Sequence, residues 1–468
     1  MNNTRTLSSF VVAATAILFA GCQSNPKPVK EVSKDSTMVK LITLDPGHFH
    51  AALVQKSMYP GIDSIVHVYA PDGPELQSHL ALVNSYNTRK ENPTLWKEEI
   101  YKGTDYLEKM LSEKKGNVVV VAGNNKQKSE YIHRTVDAGM NLLGDKPMAI
   151  DTTGFKDLVQ AFKDAESKKV LLYDIMTERS EITNLLQKEL SRDTNVFGKL
   201  QTGTPESPAV IMESVHHFYK FVSGSALKRP AWFFDAGQQG NAIVDVATHL
   251  VDLVQWECFP DIPIDYLTDI KIHHAKKWPA PLTLSQFREI TKMDSFPTYL
   301  RSYIVKDTVL NADANGSVNY SIKGINIRVA ALWNYKAPEG TGDTHYAKMM
   351  GTKCSLVVKQ GKEDNNQPTL YIDPAASAGD GFENALAESI KNITVKYPGV
   401  TIEKSAKSWK VVIPEKYKIG HEAHFGQVME RFLQYLKDGK LPEWEVPCML
   451  AKYYVTTYGS AMAEKSKK

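Results

Sequence analysis

The residues from Trp232 to Leu253 combine side chains that could carry out proton transfer. Asp245, His249 and Asp252 stand there at positions i, i+4 and i+7. This spacing predicts that all three project from one face of a helix. An imidazole takes and returns a proton near neutral pH, and a neighbouring carboxylate can orient it. We therefore predict an acid–base site here, with a buried structural Asp and His pair as the alternative.

A second group is the segment Gly139–Pro147, a predicted strand that ends in Asp145, Lys146 and Pro147. A lysine at the carboxyl end of a parallel strand points into the crevice where such sheets bind ligands. Its ammonium group can polarise a hydroxyl or carbonyl group. A Lys-Pro turn on the surface is the alternative.

A third group, Leu44–Ala52, follows the first predicted strand, where a dinucleotide-binding fold has the pattern G-x-G-x-x-G. Only the middle glycine, Gly47, is present, and Asp45 and His50 replace the other two. A carboxylate at this point repels a pyrophosphate unless Asp45 turns away to cap the helix. Asp72, 22 residues beyond His50, lies where an acidic residue would bind a ribose hydroxyl. A plain turn with an N-cap is the alternative.

No metal site is expected from these groups. An Asp and a His one turn apart could begin one, but no cysteine or histidine partner stands at a recognisable ligand spacing from Asp245 and His249. The sequence from His421 to His424 is one residue short of the H-E-x-x-H motif of zinc proteases.

The elements that position these groups follow from the hydrophobic pattern. Short apolar runs alternate with helical segments in the first part of the chain, which predicts a parallel sheet covered on both faces, a doubly wound Rossmann-like domain over residues 39–175. The predicted strands are 39–44, 65–69 and 118–122, and the predicted helices are 51–58, 105–113 and 129–138.

The remainder, residues 176–468, is predicted to form an α/β domain with a large, open, mainly antiparallel sheet and helices at its carboxyl end. The predicted strands are 265–275, 317–322, 325–333, 355–359 and 409–413, and the predicted helices are 180–190 and 424–437.

The amino-terminal residues have the order of charged, apolar and small residues that is typical of an export signal. Arg5 precedes an apolar run from Phe10 to Ala20 that is too short to span a bilayer and ends at Gly21 and Cys22. We predict a lipoprotein signal peptide at 1–21, lipidation of Cys22 and a polar tether at 22–38, and hence an exported protein anchored to a bacterial membrane, periplasmic or at the outer membrane. A plain signal peptide with an incidental cysteine is the alternative.

Composition excludes several classes of protein. The 468 residues carry 56 Lys and Arg against 53 Asp and Glu, a formal charge of +3 that gives no basic footprint for nucleic acid. Four cysteines are too few for a disulfide scaffold.

Taken in order, the strand–turn–helix start, the Asp145-Lys146-Pro147 strand end and the segment from Gly237 to Asp252 resemble the Gfo/Idh/MocA family, and more narrowly the lipid-anchored oxidoreductases of Bacteroidota. The resemblance implies a Rossmann domain binding NAD or NADP, held tightly in an exported enzyme, and a homodimer or homotetramer. It assigns catalysis to Lys146, His249 and Asp245. It assigns cofactor binding to Gly47, His48, Phe49, His50, Asp72, Asn124, Asn125, Asp145 and Lys146.

A carbohydrate ligand suits several further residues. His216 and His217 alternate on a predicted strand, so one of them could face the crevice, and Trp232 offers an aromatic face for a sugar. The full set of substrate candidates is His216, His217, Trp232, Asp235, Asp252 and His345. Core packing is the alternative for each.

We therefore expect an NAD(P)-dependent oxidoreductase of carbohydrate metabolism that acts on a sugar, glycoside or cyclitol hydroxyl by hydride transfer. One alternative is a glycoside hydrolase that oxidises its sugar transiently, eliminates the aglycone and reduces the sugar again. The other is a non-catalytic carbohydrate-binding lipoprotein.

Overall fold

The computed structural model describes residues 38–222 and 225–466. The predicted signal peptide, Cys22 and all of the predicted tether except Met38 lie outside the described residues. Within the described part, no helix combines the length and apolar character needed to cross a bilayer. Cys258, Cys354 and Cys448 are free thiols.

The first sheet is parallel and has six strands, as the alternating pattern predicts. Its order is β3-β2-β1-β4-β5-β6, with β1 Leu41–Leu44, β2 Ile65–Ala70, β3 Lys97–Lys102, β4 Val118–Val121, β5 Asn141–Asp145 and β6 Leu172–Ile175. Every residue of β1 and β4 is buried, because helices cover both faces of the sheet. These helices are α1 His50–Leu53, α2 Pro74–Thr88, α3 Tyr106–Glu113, α4 Lys128–Asp137 and α5 Thr152–Lys168.

The helix predicted at 51–58 is much shorter than expected. After Leu53 the backbone forms tight turns, in which the amide of Gln55 donates to Ala52 at 2.9 Å and that of Lys56 donates to Leu53 at 3.2 Å. The side chain of Gln55 donates to Glu98 on β3 at 2.6 Å, which ties this turn to the edge of the sheet. In the described structure, the helix that follows the first strand is therefore limited to α1.

The second sheet is mixed and mainly antiparallel, as predicted, with β7 and β13 as its parallel pair. Its order is β10-β12-β13-β7-β14-β15-β16-β18-β17, and β11 pairs with β12. The strands are β7 Val210–Tyr219, β10 Ile270–Thr283, β11 Ile304–Val305, β12 Val309–Ile322, β13 Ile325–Lys336, β14 Thr344–Met350, β15 Cys354–Lys359, β16 Thr369–Pro374, β17 Thr401–Lys404 and β18 Trp409–Val412, and a separate hairpin joins β8 Phe221–Val222 to β9 Ser225–Ala226.

The strand predicted at 265–275 begins later, at Ile270. Asp265 and Asp269 close a turn instead: the amide of Asp269 donates to the Asp265 carbonyl at 2.9 Å, and the Asp265 carboxylate accepts from the amide of Leu267 at 2.8 Å. Aspartate favours such turns because its side chain bonds to nearby backbone.

Helices cover this sheet and form the carboxyl-terminal part of the described chain. They are α6 Ile182–Arg192, α7 Ala247–Cys258, α8 Leu284–Thr291, α9 Phe382–Lys396, α10 His421–Asp438 and α11 Glu445–Lys465. The last two also complete the apolar core of the first domain, since Phe425, Phe432 and Tyr453 are buried among its residues.

Candidate active site

The turn after β1 and the end of β5 meet at the carboxyl edge of the first sheet. His48 Nδ1 lies 3.0 Å from an Asp145 carboxylate oxygen, and His50 Nδ1 lies 3.0 Å from the other. Asp145 and His50 are 2% and 6% exposed. Burial lowers the pKa of both histidines, against the opposing effect of Asp145.

Lys146, the next residue after Asp145, forms an ion pair with Asp245. Its Nζ lies 2.6 Å from Oδ1 of that carboxylate, and both side chains are less than one-tenth exposed. Burial disfavours the ionised Asp245, but the Lys146 ammonium overcomes this effect and lowers the carboxyl pKa to about 2. Asp245 precedes α7 rather than lying on it: its amide donates to Asn241 at 2.9 Å within a turn.

His249 lies in the first turn of α7 and lines a cavity of about 290 Å³ together with Lys146 and Asp245. Its Nδ1 is buried without a hydrogen-bond partner in the described structure. Burial, and then the nearby Lys146 ammonium, lower its pKa to about 3, against the opposing effect of Glu178. The ring is therefore neutral at physiological pH and able to accept a proton.

Asp252 does not join this cavity, so the structure brings together two of the three acid–base candidates rather than all three. Its carboxylate accepts from Arg179 Nε at 2.6 Å, from Arg179 Nη2 at 2.7 Å and from Lys452 at 2.7 Å. Asp252 is 1% exposed and belongs to a buried ionic network that includes Asp174 and Glu445.

Two carboxyl groups in the cavity were missed by sequence reasoning. Glu178 and Glu181 line it, just beyond β6. Burial raises the pKa of Glu181, whereas His421, 3.5 Å from Glu178, and His249 outweigh burial and lower the pKa of Glu178. The sequence could have indicated both glutamates, because they follow a parallel strand at its carboxyl end, as Lys146 does.

Two histidines of the second domain, His216 and His345, line the same cavity, whereas His217 does not. The Nε2 atom of His345 is buried without a partner in the described structure. His216 and His217 both contact Asp343, at 3.3 and 3.1 Å from Nδ1. His216 also packs against Trp333, with ring centroids 5.2 Å apart.

Trp232 lines a second cleft, of about 390 Å³, which runs over Gly47 and along α2. A Cβ atom on Gly47 would lie 3.4 Å from the Trp232 ring and 3.5 Å from the amide nitrogen of Asn124, so it would fit in ordinary van der Waals contact and take up space on the floor of the cleft. The Asp45 carboxylate points away and accepts from the Tyr131 hydroxyl at 2.9 Å, and burial raises its pKa.

These features fit a dinucleotide. Backbone amides at Phe49 and His50 have no acceptor in the described structure, the carboxylate of Asp45 is directed elsewhere, and His48 and Phe49 line both the cleft and the cavity that contains Lys146. A cleft of this size lies within the usual range for a ligand site. Gly47, the two amides and Lys146 are the groups that would hold the cofactor.

Four other candidates line neither the cavity nor the cleft, and their assigned roles stay predictions. Asn124 donates to the Gln238 side chain at 2.8 Å and Asn125 donates to the Gln239 carbonyl at 2.8 Å, so both tie the first domain to the segment before α7. Asp72 is exposed and lies 3.1 Å from Lys102. Asp235 caps a turn by accepting from the amide of Gly237 at 2.9 Å.

Two family models match the chain. The model described as "Oxidoreductase family, NAD-binding Rossmann fold" matches residues 44–173, and that described as "Putative oxidoreductase C terminal domain" matches residues 186–464. No curated protein sequence is similar to this chain.

Solved structures agree with the family models. The crystal structure of a "putative oxidoreductase" from Parabacteroides merdae ATCC 43184 is 52% identical, covers 92% of this chain and 98% of its own, and has a TM-score of 0.90. Levoglucosan dehydrogenase, in complex with NADH and levoglucosan, shares the fold at 12% identity and a TM-score of 0.57, over 92% of this chain and 98% of its own. The chain belongs to the Gfo/Idh/MocA family of oxidoreductases, and its first domain is an NAD-binding Rossmann domain.

Proposed function

We propose that this protein is an NAD-dependent dehydrogenase that oxidises a hydroxyl group of a carbohydrate or cyclitol. The observation that carries the proposal is the Lys146–Asp245 ion pair of 2.6 Å, which shares one cavity with His249 next to the cleft over Gly47. The shared fold with levoglucosan dehydrogenase is consistent with a carbohydrate substrate.

Lys146 has the role of holding the reacting hydroxyl. The buried Asp245 carboxylate pairs with the Lys146 ammonium and directs it, since a buried charge needs a partner. The same ammonium can donate a hydrogen bond to a substrate oxygen and stabilise the negative charge that develops there. When bound, the nicotinamide ring supplies the hydride acceptor.

His249 has the role of general base. Burial and the Lys146 ammonium lower its pKa to about 3, so the ring is neutral and has a free lone pair that can accept the hydroxyl proton. The same effects weaken the ring as a base, and the Glu178 carboxylate opposes them by stabilising the imidazolium that forms. General bases of this kind contribute roughly 10²- to 10⁴-fold to rate.

The first experiment tests for the cofactor and for turnover. We expect mass spectrometry of the denatured, purified protein to detect a nicotinamide dinucleotide, and a panel of sugars and cyclitols with added NAD⁺ to give absorbance at 340 nm. Protein that carries no dinucleotide and binds neither NAD⁺ nor NADP⁺ would refute the proposal.

Variants then test the assigned roles. Lys146→Met and His249→Asn are each expected to lower kcat by about 10²-fold or more. The matched control is Lys323→Met, because Lys323 also pairs with an aspartate, Asp269, at 2.7 Å, but at an exposed position. A His249→Asn enzyme with unchanged kcat would show that the base is another residue.

A second candidate function is supported by Glu178 and Glu181. A dehydrogenase needs one base, yet this cavity holds two further carboxyl groups whose pKa values shift in opposite directions. Such a divergence is typical of an acid and base pair. We propose as the alternative a glycoside hydrolase. In it, transient oxidation acidifies the adjacent C–H bond, the Glu178 carboxylate takes that proton, and the Glu181 carboxyl group protonates the departing aglycone. Water then adds to the resulting double bond, and the ketone is reduced again.

Products separate the two functions. A dehydrogenase accumulates NADH and a ketosugar, whereas the hydrolase releases free aglycone with no net NADH. In the hydrolase, Glu181→Gln would abolish aglycone release from an aryl glycoside while leaving cofactor binding unchanged. Equal release by the parent and the Glu181→Gln protein would exclude a role for this carboxyl group.

The lipid anchor at Cys22 and export to a bacterial membrane also remain part of this proposal, supported by the order of charge, apolar run and small residues before the cysteine.

A further inference from the structure

The contact between His48, His50 and Asp145 brings three potential metal ligands together. One imidazole nitrogen of each histidine lies 3.0 Å from an Asp145 oxygen, and the His50 nitrogen is also 3.1 Å from the second oxygen. All three ligand atoms lie within 4.8 Å of one another.

Small residues at the end of β4 allow this contact. That strand lies between β1 and β5 in the sheet, so the turn carrying both histidines must cross its end to reach Asp145. Ala122 and Gly123 form the crossing point, and a Cβ atom on Gly123 would lie 2.2 Å from the Asp45 carbonyl oxygen. The absence of a side chain at this position is therefore required for the cluster to form.

The Asp145 carboxylate has no lysine or arginine partner in the described structure. Buried Lys128 donates to the main-chain oxygen of Asp145 at 2.9 Å, and the neighbouring Lys146 pairs with Asp245. Among the described residues, the side-chain partners of this carboxylate are the two imidazoles. A buried carboxylate with this environment favours a cation close to its oxygens.

We propose that His48, His50 and Asp145 bind a divalent transition-metal ion. The His48 and His50 nitrogens lie 3.0–3.1 Å from the Asp145 oxygens, near the edge length of about 3.3 Å that a tetrahedral ion with 2.0–2.1 Å bonds requires, and the two nitrogens lie within 4.8 Å of each other. Two imidazoles and one carboxylate form the donor set of Zn²⁺ and Fe²⁺ sites that keep open positions. The proposal differs from the expectation, drawn from sequence spacing, that no metal is bound.

The open positions face the ligand-binding region. The His48 side chain is 19% exposed and borders both the cavity with Lys146 and the cleft over Gly47. A water molecule or a substrate oxygen can therefore complete the coordination. The metal proposal does not depend on the proposed dehydrogenase function. Its test measures metal binding rather than turnover.

The experiment uses full-length mature protein without an affinity tag, stripped with EDTA and returned to metal-free buffer. Calorimetric titration with Zn²⁺ is expected to show one site per chain, and Co²⁺ is expected to give the visible absorption of a tetrahedral ion. His50→Ala is expected to weaken Zn²⁺ binding by roughly 100-fold, since it removes one of three protein ligands.

His133→Ala is the matched control. His133 also contacts a carboxylate, Asp164, at 3.2 Å, but in a half-exposed pair with no third ligand. This variant is expected to bind Zn²⁺ as the parent does. If circular dichroism shows that His50→Ala does not fold, the more exposed His48 serves instead as His48→Ala. Parent protein that binds neither ion at ~100 μM, or a folded ligand variant that binds Zn²⁺ as tightly as the parent, would overturn the proposal.

Discussion

Replacement of Asp252 by asparagine separates a structural role from a substrate-binding role for this residue. The carboxylate accepts two hydrogen bonds from Arg179 and one from Lys452, all at 2.6–2.7 Å, and both cations are at most 2% exposed. Removal of one partner from a buried ion pair costs about 3–5 kcal/mol. With an unfolding entropy of about 2.1 cal/mol/K per residue over ~430 residues, this cost lowers Tm by about 3–6 °C.

Differential scanning calorimetry at pH 7 is the assay, with Glu108→Gln as the control. Glu108 accepts from Arg134 at 2.8 Å, but both side chains are exposed, so loss of this ion pair is expected to lower Tm by about 1 °C or less. We expect Asp252→Asn to bind dinucleotide and carbohydrate as the parent does at 20 °C. A Tm within 1 °C of the parent together with a large rise in KM would refute the reasoning and return Asp252 to the substrate site.

Three further predictions follow from buried groups and the amino terminus. Burial lowers the pKa of His79 from 6.5 to about 4, so below pH 6.5 the unfolded state binds more protons than the folded state, and the stability decreases as the pH decreases. His79→Phe should therefore reduce the stability lost between pH 7 and pH 5 by about 2 kcal/mol. Equal losses in urea titrations of both proteins would contradict this. Gly47→Ala should fold, because its nearest contacts are 3.4 Å, yet bind NAD⁺ at least about 10-fold more weakly by calorimetry; unchanged affinity would place the pyrophosphate elsewhere. Cys22→Ser should lose incorporation of radiolabelled palmitate in a bacterial host, and retained label would show another anchor.

The fold was largely predictable because local patterns encode it. Val118–Val121 is apolar at every position, and this feature alone indicates a strand covered on both faces. The helix after β1 was overestimated because its end depends on Gln55, whose side chain bonds to Glu98 on a strand 43 residues away. A pattern of apolar residues carries no information about such a partner.

The site was predictable in part for the same reason. Lys146 was identified because its position at the end of β5 follows from local sequence, and its partner Asp245 was selected by spacing to His249. Spacing also selected Asp252, but its cationic partners lie 73 and 200 residues away in the sequence, so its burial could not be foreseen. The histidine and aspartate cluster at the sheet edge likewise joins residues 95–97 positions apart.

The packing of α10 and α11 against the first domain has a consequence for the order of folding during synthesis. Phe425, Phe432, Met449 and Tyr453 belong to the apolar core that β1, β4 and β5 begin, yet they follow every strand of the second sheet in the chain. The nucleotide-binding half therefore emerges with part of its interior missing and becomes fully stable only after α10 and α11 have been synthesised. A chain truncated after residue 420 would leave this apolar surface open to solvent, whereas a domain built from consecutive residues alone would already be complete.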